Sequence, residues 1–126
     1  MSWQTFLAIG SGGFIGAILR SYLNGLISHK LPHDLPFGTL GVNLIGSLIM
    51  GILFAIFHLN TDISPHTKTF LTTGFLGALT TYSTFAIETV LLLNGSHLVL
   101  AASNMMLNMF GTVLFAGIGL VSLQMY

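Results

Sequence analysis

Long apolar runs alternate with short polar interruptions along the chain, and that alternation predicts its elements. Apolar residues dominate four stretches, at about residues 3–28, 37–58, 67–94 and 98–126. The interruptions carry helix breakers: "HKLPHDLP" places His29, Lys30 and Asp34 among two prolines, "LNTDISPH" follows the second run, and "NGSH" at 94–97 parts the third from the fourth. Each marks a turn. A helix that crosses a membrane needs roughly 20 mostly apolar residues, so the four runs read as four transmembrane helices of an all-α membrane protein. A single integral membrane domain is expected over residues 1–126, with no room beside it for a soluble one.

Composition supports the same solvent. Of the chain, 53% is hydrophobic and 5% charged, with a mean hydropathy of +0.90, where a soluble domain is about 25% charged. No basic residue stands ahead of the first apolar run in "MSWQTF", so that run is expected to stay as a membrane helix and not to be cleaved as a secretory signal. Cysteine is absent, which removes disulfides and thiolate metal sites.

Charge bears on orientation, which normally follows the Lys/Arg bias of the loops. The basic residues are Arg20, Lys30 and Lys68. Lys30 falls in the first loop and Lys68 in the second, on opposite sides of the membrane, while Arg20 lies inside the first run. The bias is close to nil. Two readings follow: orientation by weaker cues such as Trp3 and Tyr126, or insertion in both orientations, which permits an antiparallel homodimer.

Polar side chains are costly in hydrocarbon unless they face protein or water. In "GTLGVNLIGS", Thr39, Asn43 and Ser47 recur at i, i+4 and i+8, one stripe down one helical face. Asn104, Asn108 and Thr112 repeat the spacing in the fourth run. The stripes mark either a wet track or amides that bond helices together. Gly12 with Gly16, and Gly13 with Ala17, let a neighbouring backbone approach closely. Arg20 precedes the end of its run by about two turns and either snorkels to the interface or holds charge over an aqueous vestibule. Glu88 has the same two readings, and the two can also pair with each other.

The stretch "GALTTYSTFAIE" (77–88) sets Thr80, Thr81, Ser83 and Thr84 at mid-span, beside Gly74 and Gly77. Such residues weaken a helix. Either the helix is broken and its freed carbonyls are ligands for a small cation, or it is intact and the hydroxyls bond back to preceding carbonyls. The histidines at 29, 33, 58, 66 and 97 fall at segment ends without i, i+4 pairing, which points to the membrane interface and away from a metal site. Met105, Met106 and Met109 read as packing residues. No G-x-x-x-x-G-K-[ST] loop is present, so transport, if any, is expected to be passive.

The stretches "GGFIGAILR" (12–20), "PFGTLGVNLIG" (36–46) and "GFLGALTTYSTFAIE" (74–88) resemble the signature segments of the Fluc (CrcB-type) fluoride channels, in the same order and across the whole chain length. The resemblance implies an antiparallel, dual-topology homodimer among the lipids of a bacterial inner membrane, exporting fluoride passively and so preventing its toxicity. It implies a third helix broken at mid-span and a structural Na+ at the dimer centre, held by the backbone carbonyls of Gly77 and Thr80 from both subunits. It places Asn43, Tyr82, Phe85, Thr39, Ser83 and Thr84 along the pores, with Asn108 and Thr112 on the fourth-helix track and Arg20 and Glu88 as vestibule charges. Two positions depart from the family pattern: Tyr82 stands where phenylalanine is usual, and Asn108 where serine is.

Fluoride is small and tightly hydrated, so its pore must replace water with donors. The Asn43 amide and the hydroxyls of Thr39, Ser83 and Thr84 are such donors, and the positive edges of Tyr82 and Phe85 suit an anion. A small proton-coupled multidrug transporter can share the four-helix dual-topology plan. It needs a carboxylate in its first helix, and this first run holds none. A non-transporting assembly protein, with stripes that only join helices, is the other competitor. An enzyme is not expected, since no set of nucleophile, base and oxyanion donors is present.

Overall fold

The computed structural model describes residues 1–124; the Tyr126 anchor and the last two positions of the fourth run lie outside the described residues. Helix α1 (Trp3–Lys30) begins behind Ser2, whose hydroxyl accepts the Thr5 N–H at 3.2 Å. This bond satisfies one of the amides that a helix start leaves unpaired. Helix α2 (Phe37–Leu59) follows the proline-rich turn.

The third span starts at α3 (Pro65–Thr69), with Ser64 as cap and Pro65 in the first turn. Proline is favoured there because its missing N–H has no helical acceptor to lose. Lys68 therefore belongs to the start of a helix and not to the loop, and its ammonium lies 5.5 Å from the centre of the Phe57 ring at the end of α2. The backbone then widens into a π-helix over Phe70–Leu76, tightens into the single turn α4 (Gly77–Leu79), breaks at Thr80 and Thr81, and resumes as α5 (Tyr82–Asn94). Helix α6 (Leu98–Gln124) completes the chain. All four spans are long and apolar enough to cross a membrane.

Backbone contact between glycine faces organises the packing. A methyl group on Gly12 would strike the Phe70 carbonyl and come within 2.9 Å of the Phe75 nitrogen, and one on Gly74 would sit 3.0 Å from the Ala8 and Ile9 carbonyls. The Gly12–Gly16 face of α1 thus lies directly on the π-helical stretch. The α2–α6 pair, the most extensive in the molecule, is built the same way: a Cβ on Gly51 would lie 2.8 Å from the Leu120 nitrogen. Between these pairs Val42, Leu76, Leu79 and Ala101 are fully buried. Outward, Phe14, Phe54, Phe110 and Val113 are exposed, as side chains facing lipid or another chain should be.

Candidate functional site

The break in the third span is closed by a side chain. Thr80 (ψ 156°) and Thr81 (φ −147°) are extended, so the helical hydrogen bonds that would cross them are lost. Asn43 of α2 supplies replacements: its Oδ1 accepts the Thr81 N–H at 2.8 Å and its Nδ2 donates to the Thr81 carbonyl at 3.1 Å. One amide serves as a peptide group would. Buried backbone groups require such partners, and asparagine can donate and accept at once. Thr81 then caps α5, its hydroxyl accepting the Thr84 N–H at 3.4 Å and donating to the Thr84 hydroxyl at 3.0 Å.

From Asn43 a row of amides runs inward. Asn43 Nδ2 also donates to Asn108 Oδ1 at 3.0 Å, Asn108 Nδ2 donates to Asn104 Oδ1 at 3.0 Å, and Asn104 Nδ2 donates to the Thr89 hydroxyl at 3.0 Å. The two polar stripes of α2 and α6 therefore meet, and both readings of them have a physical counterpart. They join helices, and Asn43, Ser47, Asn108 and Thr112 of them also line a cavity of about 350 Å³.

That cavity brings together Asn43, Tyr82, Phe85, Asn108 and Thr112, five of the eight residues that the sequence resemblance placed along the pores. The Tyr82 and Phe85 rings stand edge to face, 5.5 Å apart at 68°, and Tyr82 is 80% exposed. Ser47 and Thr80 add hydroxyls to the wall. Both amide hydrogens of Asn43 are already engaged, by Thr81 and Asn108, so an anion reaching it would compete with two existing bonds.

Other residues from the sequence stand elsewhere. Ser83 is exposed on α5, and Thr84 is tied to Thr81. Thr39, 1% exposed, lies beside Glu88 without a well-aligned hydrogen bond, so that Thr39 Oγ1 and Glu88 Oε1 are both buried and unpartnered. Glu88 borders a second cavity, of about 280 Å³, shared with His33 and Asp34 of the first loop. Arg20 is half-buried on α1, and no bond joins it to Glu88. Gly77 lies one turn before the break and Thr80 within it. The helical donor to the Gly77 carbonyl would be Thr81 N–H, which binds Asn43 instead, and that to Thr80 would be Thr84 N–H, which binds the Thr81 hydroxyl.

Thr89 escaped the sequence reading, Thr81 entered it as one of the mid-span hydroxyls but not as the cap of α5, and Asn104 and Ser47 entered it only as stripe members. The spacing of Asn104 four residues before Asn108 was the available signal, since i and i+4 share a helical face. Nothing in the order of residues pointed to Thr89 as its partner on α5.

Four apolar spans, one of them broken at mid-depth against an asparagine and opening on a cavity bordered by amides, hydroxyls and aromatic rings, define a multi-pass helical membrane protein. Residues 7–120 match the family described as CrcB-like protein, Camphor Resistance (CrcB). A "Fluoride-specific ion channel FluC" of Sulfurimonas denitrificans is 70% identical over 94% of this chain and 92% of its own length. Proteins of the same name from Nautilia profundicola (46% identical, 98% of this chain and 97% of its own) and Campylobacter jejuni (45%, 92% and 94%) are also similar. The chain belongs to the CrcB-like family.

Proposed function

We infer that this chain is a passive, fluoride-selective anion channel of the bacterial inner membrane, which lets cytoplasmic fluoride leave down its electrochemical gradient. The observation that carries the ion's identity is the 70% identity to a protein named as fluoride-specific. The pore runs along the wall formed by Asn43, Tyr82, Phe85, Asn108 and Thr112, with Thr39, Ser83 and Thr84 supplying further hydroxyls when a second subunit closes the open side. The conducting unit is an antiparallel, dual-topology homodimer, supported by the near-absence of a Lys/Arg bias.

The carbonyls of Gly77 and Thr80, released by the break, suit a structural Na+ shared between two subunits. They are hard oxygen donors at membrane depth, where an unpaired carbonyl is expensive. Among the described residues no three His, Cys, Asp or Glu side chains converge to hold a metal. When bound, the ion supplies positive charge that lowers the cost of nearby anions.

Permeation on this wall is an exchange of hydrogen bonds. Dehydrated fluoride takes donors from Ser47, Tyr82 and the amides, and the edges of the paired aromatic rings complete its shell. Arg20 and Glu88 set the potential at the mouth. The test is halide efflux from liposomes carrying the purified protein, read with ion-selective electrodes. Rapid fluoride loss with chloride retained is expected; retention of both halides by folded protein would refute the reading.

A further inference from the structure

The amide row has a direction, and its origin lies outside the cavity. Thr89 sits on α5 with its hydroxyl donating to the Phe85 carbonyl at 2.8 Å. A hydroxyl has one hydrogen, so towards Asn104 the Thr89 oxygen can only accept. Asn104 must therefore present its NH2 to Thr89, as it does at 3.0 Å, and its oxygen to Asn108. Asn108 then presents its NH2 to Asn104, donating to both the side-chain and backbone oxygens at 3.0 Å. Its oxygen is left for Asn43. Asn43 turns its NH2 to Asn108 and to the Thr81 carbonyl and its Oδ1 to the Thr81 N–H, so the relay and the Thr81 backbone require the same direction. Every member is buried: Asn104 is 1% exposed, Asn108 5%, Thr89 6% and Asn43 7%. Water cannot relax a reversed amide there, and a misdirected one leaves like atoms facing each other.

We propose that Thr89 and Asn104 are positioning residues of the ion pathway, a buried relay that braces the Asn108 and Asn43 amides in the direction that the Asn104 main-chain carbonyl and the Thr81 backbone also demand. Neither lines the cavity; both act through Asn108. The relay anchors at both ends to α5, on the Phe85 carbonyl and on Thr81, so it also ties the aromatic pair to the amides it orients. Methyl-for-hydroxyl replacement at position 89 frees Asn104 to reverse, and a reversed Asn104 would set its NH2 against that of Asn108, which the Asn104 main-chain carbonyl holds in place.

The proposal rests on the fluoride-channel reading, and the experiment separates the two. Fluoride and chloride efflux from liposomes is measured for the wild type, Thr89→Val, Thr89→Ser and the double variant Thr89→Val/Asn104→Leu. The double variant removes the Thr89–Asn104 pair together, so the Asn104 NH2 is not stranded if Thr89→Val alone fails to fold, and the Asn108 NH2 keeps the main-chain oxygen of position 104 while losing the side-chain one. Side-chain amide hydrogen exchange of 15N-labelled asparagine provides a readout independent of transport. We expect Thr89→Val and the double variant to lower the fluoride-to-chloride rate ratio by about tenfold or more, with faster exchange at Asn43 and Asn108. Thr89→Ser should keep the wild-type ratio. Unchanged ratios and exchange in a folded double variant would overturn the relay, as would a Thr89→Ser that behaves like Thr89→Val. A wild type that conducts no fluoride would sink the channel reading, while the exchange data would still decide whether the relay orients the amides.

Discussion

At the scale of single residues, Asn43 carries the heaviest demand, because it completes the backbone of another helix and walls the cavity at once. Asn43→Asp keeps the shape and removes the NH2, so the Thr81 carbonyl and Asn108 Oδ1 would both face an acceptor. Two buried bonds turn repulsive. The expected outcome is loss of fluoride flux together with a stability loss of about 1–3 kcal/mol, read by thermal unfolding in detergent; unchanged flux would remove Asn43 from the pathway. Sequence reasoning reached this residue through the stripe Thr39, Asn43 and Ser47, but saw only a donor for an anion, because the partner, Thr81, lies 38 positions away. A second residue shows the reverse case. In the turn "NGSH" the left-handed position is taken by Ser96, at φ 63°, and not by the adjacent glycine, whose φ is −82°. A side chain there costs about 1–2 kcal/mol. Ser96→Gly should therefore raise stability by roughly 0.5–1 kcal/mol once glycine's greater unfolded-state freedom is subtracted, and Ser96→Val should lower it. Melting temperatures of the three proteins should rank Gly above Ser above Val.

At the scale of elements, the third span shows what periodicity can and cannot reveal. Glycine and hydroxyl residues around 77–84 pointed to a weak helix, and left a broken and an intact form open. The choice was made by tertiary partners: Asn43 rewards extension at Thr81, while of the hydroxyls at 80–84 Thr80 shows the back-bonded alternative, donating to the Leu76 carbonyl at 3.0 Å. The π-helical stretch Phe70–Leu76 had no legible signature, since its wide turn is defined by contact with α1 and not by the order of its residues. The partner of that contact was legible as Gly12 and Gly16. A direct comparison tests the argument. Gly12→Ala forces a methyl group into the Phe70 carbonyl, whereas Gly10→Ala meets nothing within 4 Å. Overpacking against backbone costs about 1–3 kcal/mol, so Gly12→Ala should lower the unfolding midpoint and Gly10→Ala should hold or raise it. Equal effects would mean that α1 and the π-helical stretch are not in backbone contact.

At the scale of the whole molecule, the cavity opens to the outside of the single chain and apolar faces are exposed, as the proposed dimer requires. Tyr82 is 80% exposed beside residues that are almost fully buried, which fits a wall awaiting its opposite half. Under the proposed antiparallel assembly, each orientation is useless without the other, and the weak charge bias becomes a functional requirement. Lys30 and Lys68 stand near opposite faces of the membrane and nearly cancel. Asn60→Lys with Asp62→Lys adds positive charge at the second loop, and Asn94→Lys with His97→Lys adds it at the third, on the other side. Each pair lies on exposed positions away from the cavity. Because basic loops are retained in the cytoplasm, each double variant should insert in one orientation, and in opposite senses. Expressed alone, either should reach the membrane, show one-sided accessibility of a terminal tag, and give almost no fluoride efflux. Expressed together, they should restore it. Full flux from either variant alone would show that parallel chains or single subunits conduct, and the antiparallel dimer would have to be abandoned while the cavity and its amides remained.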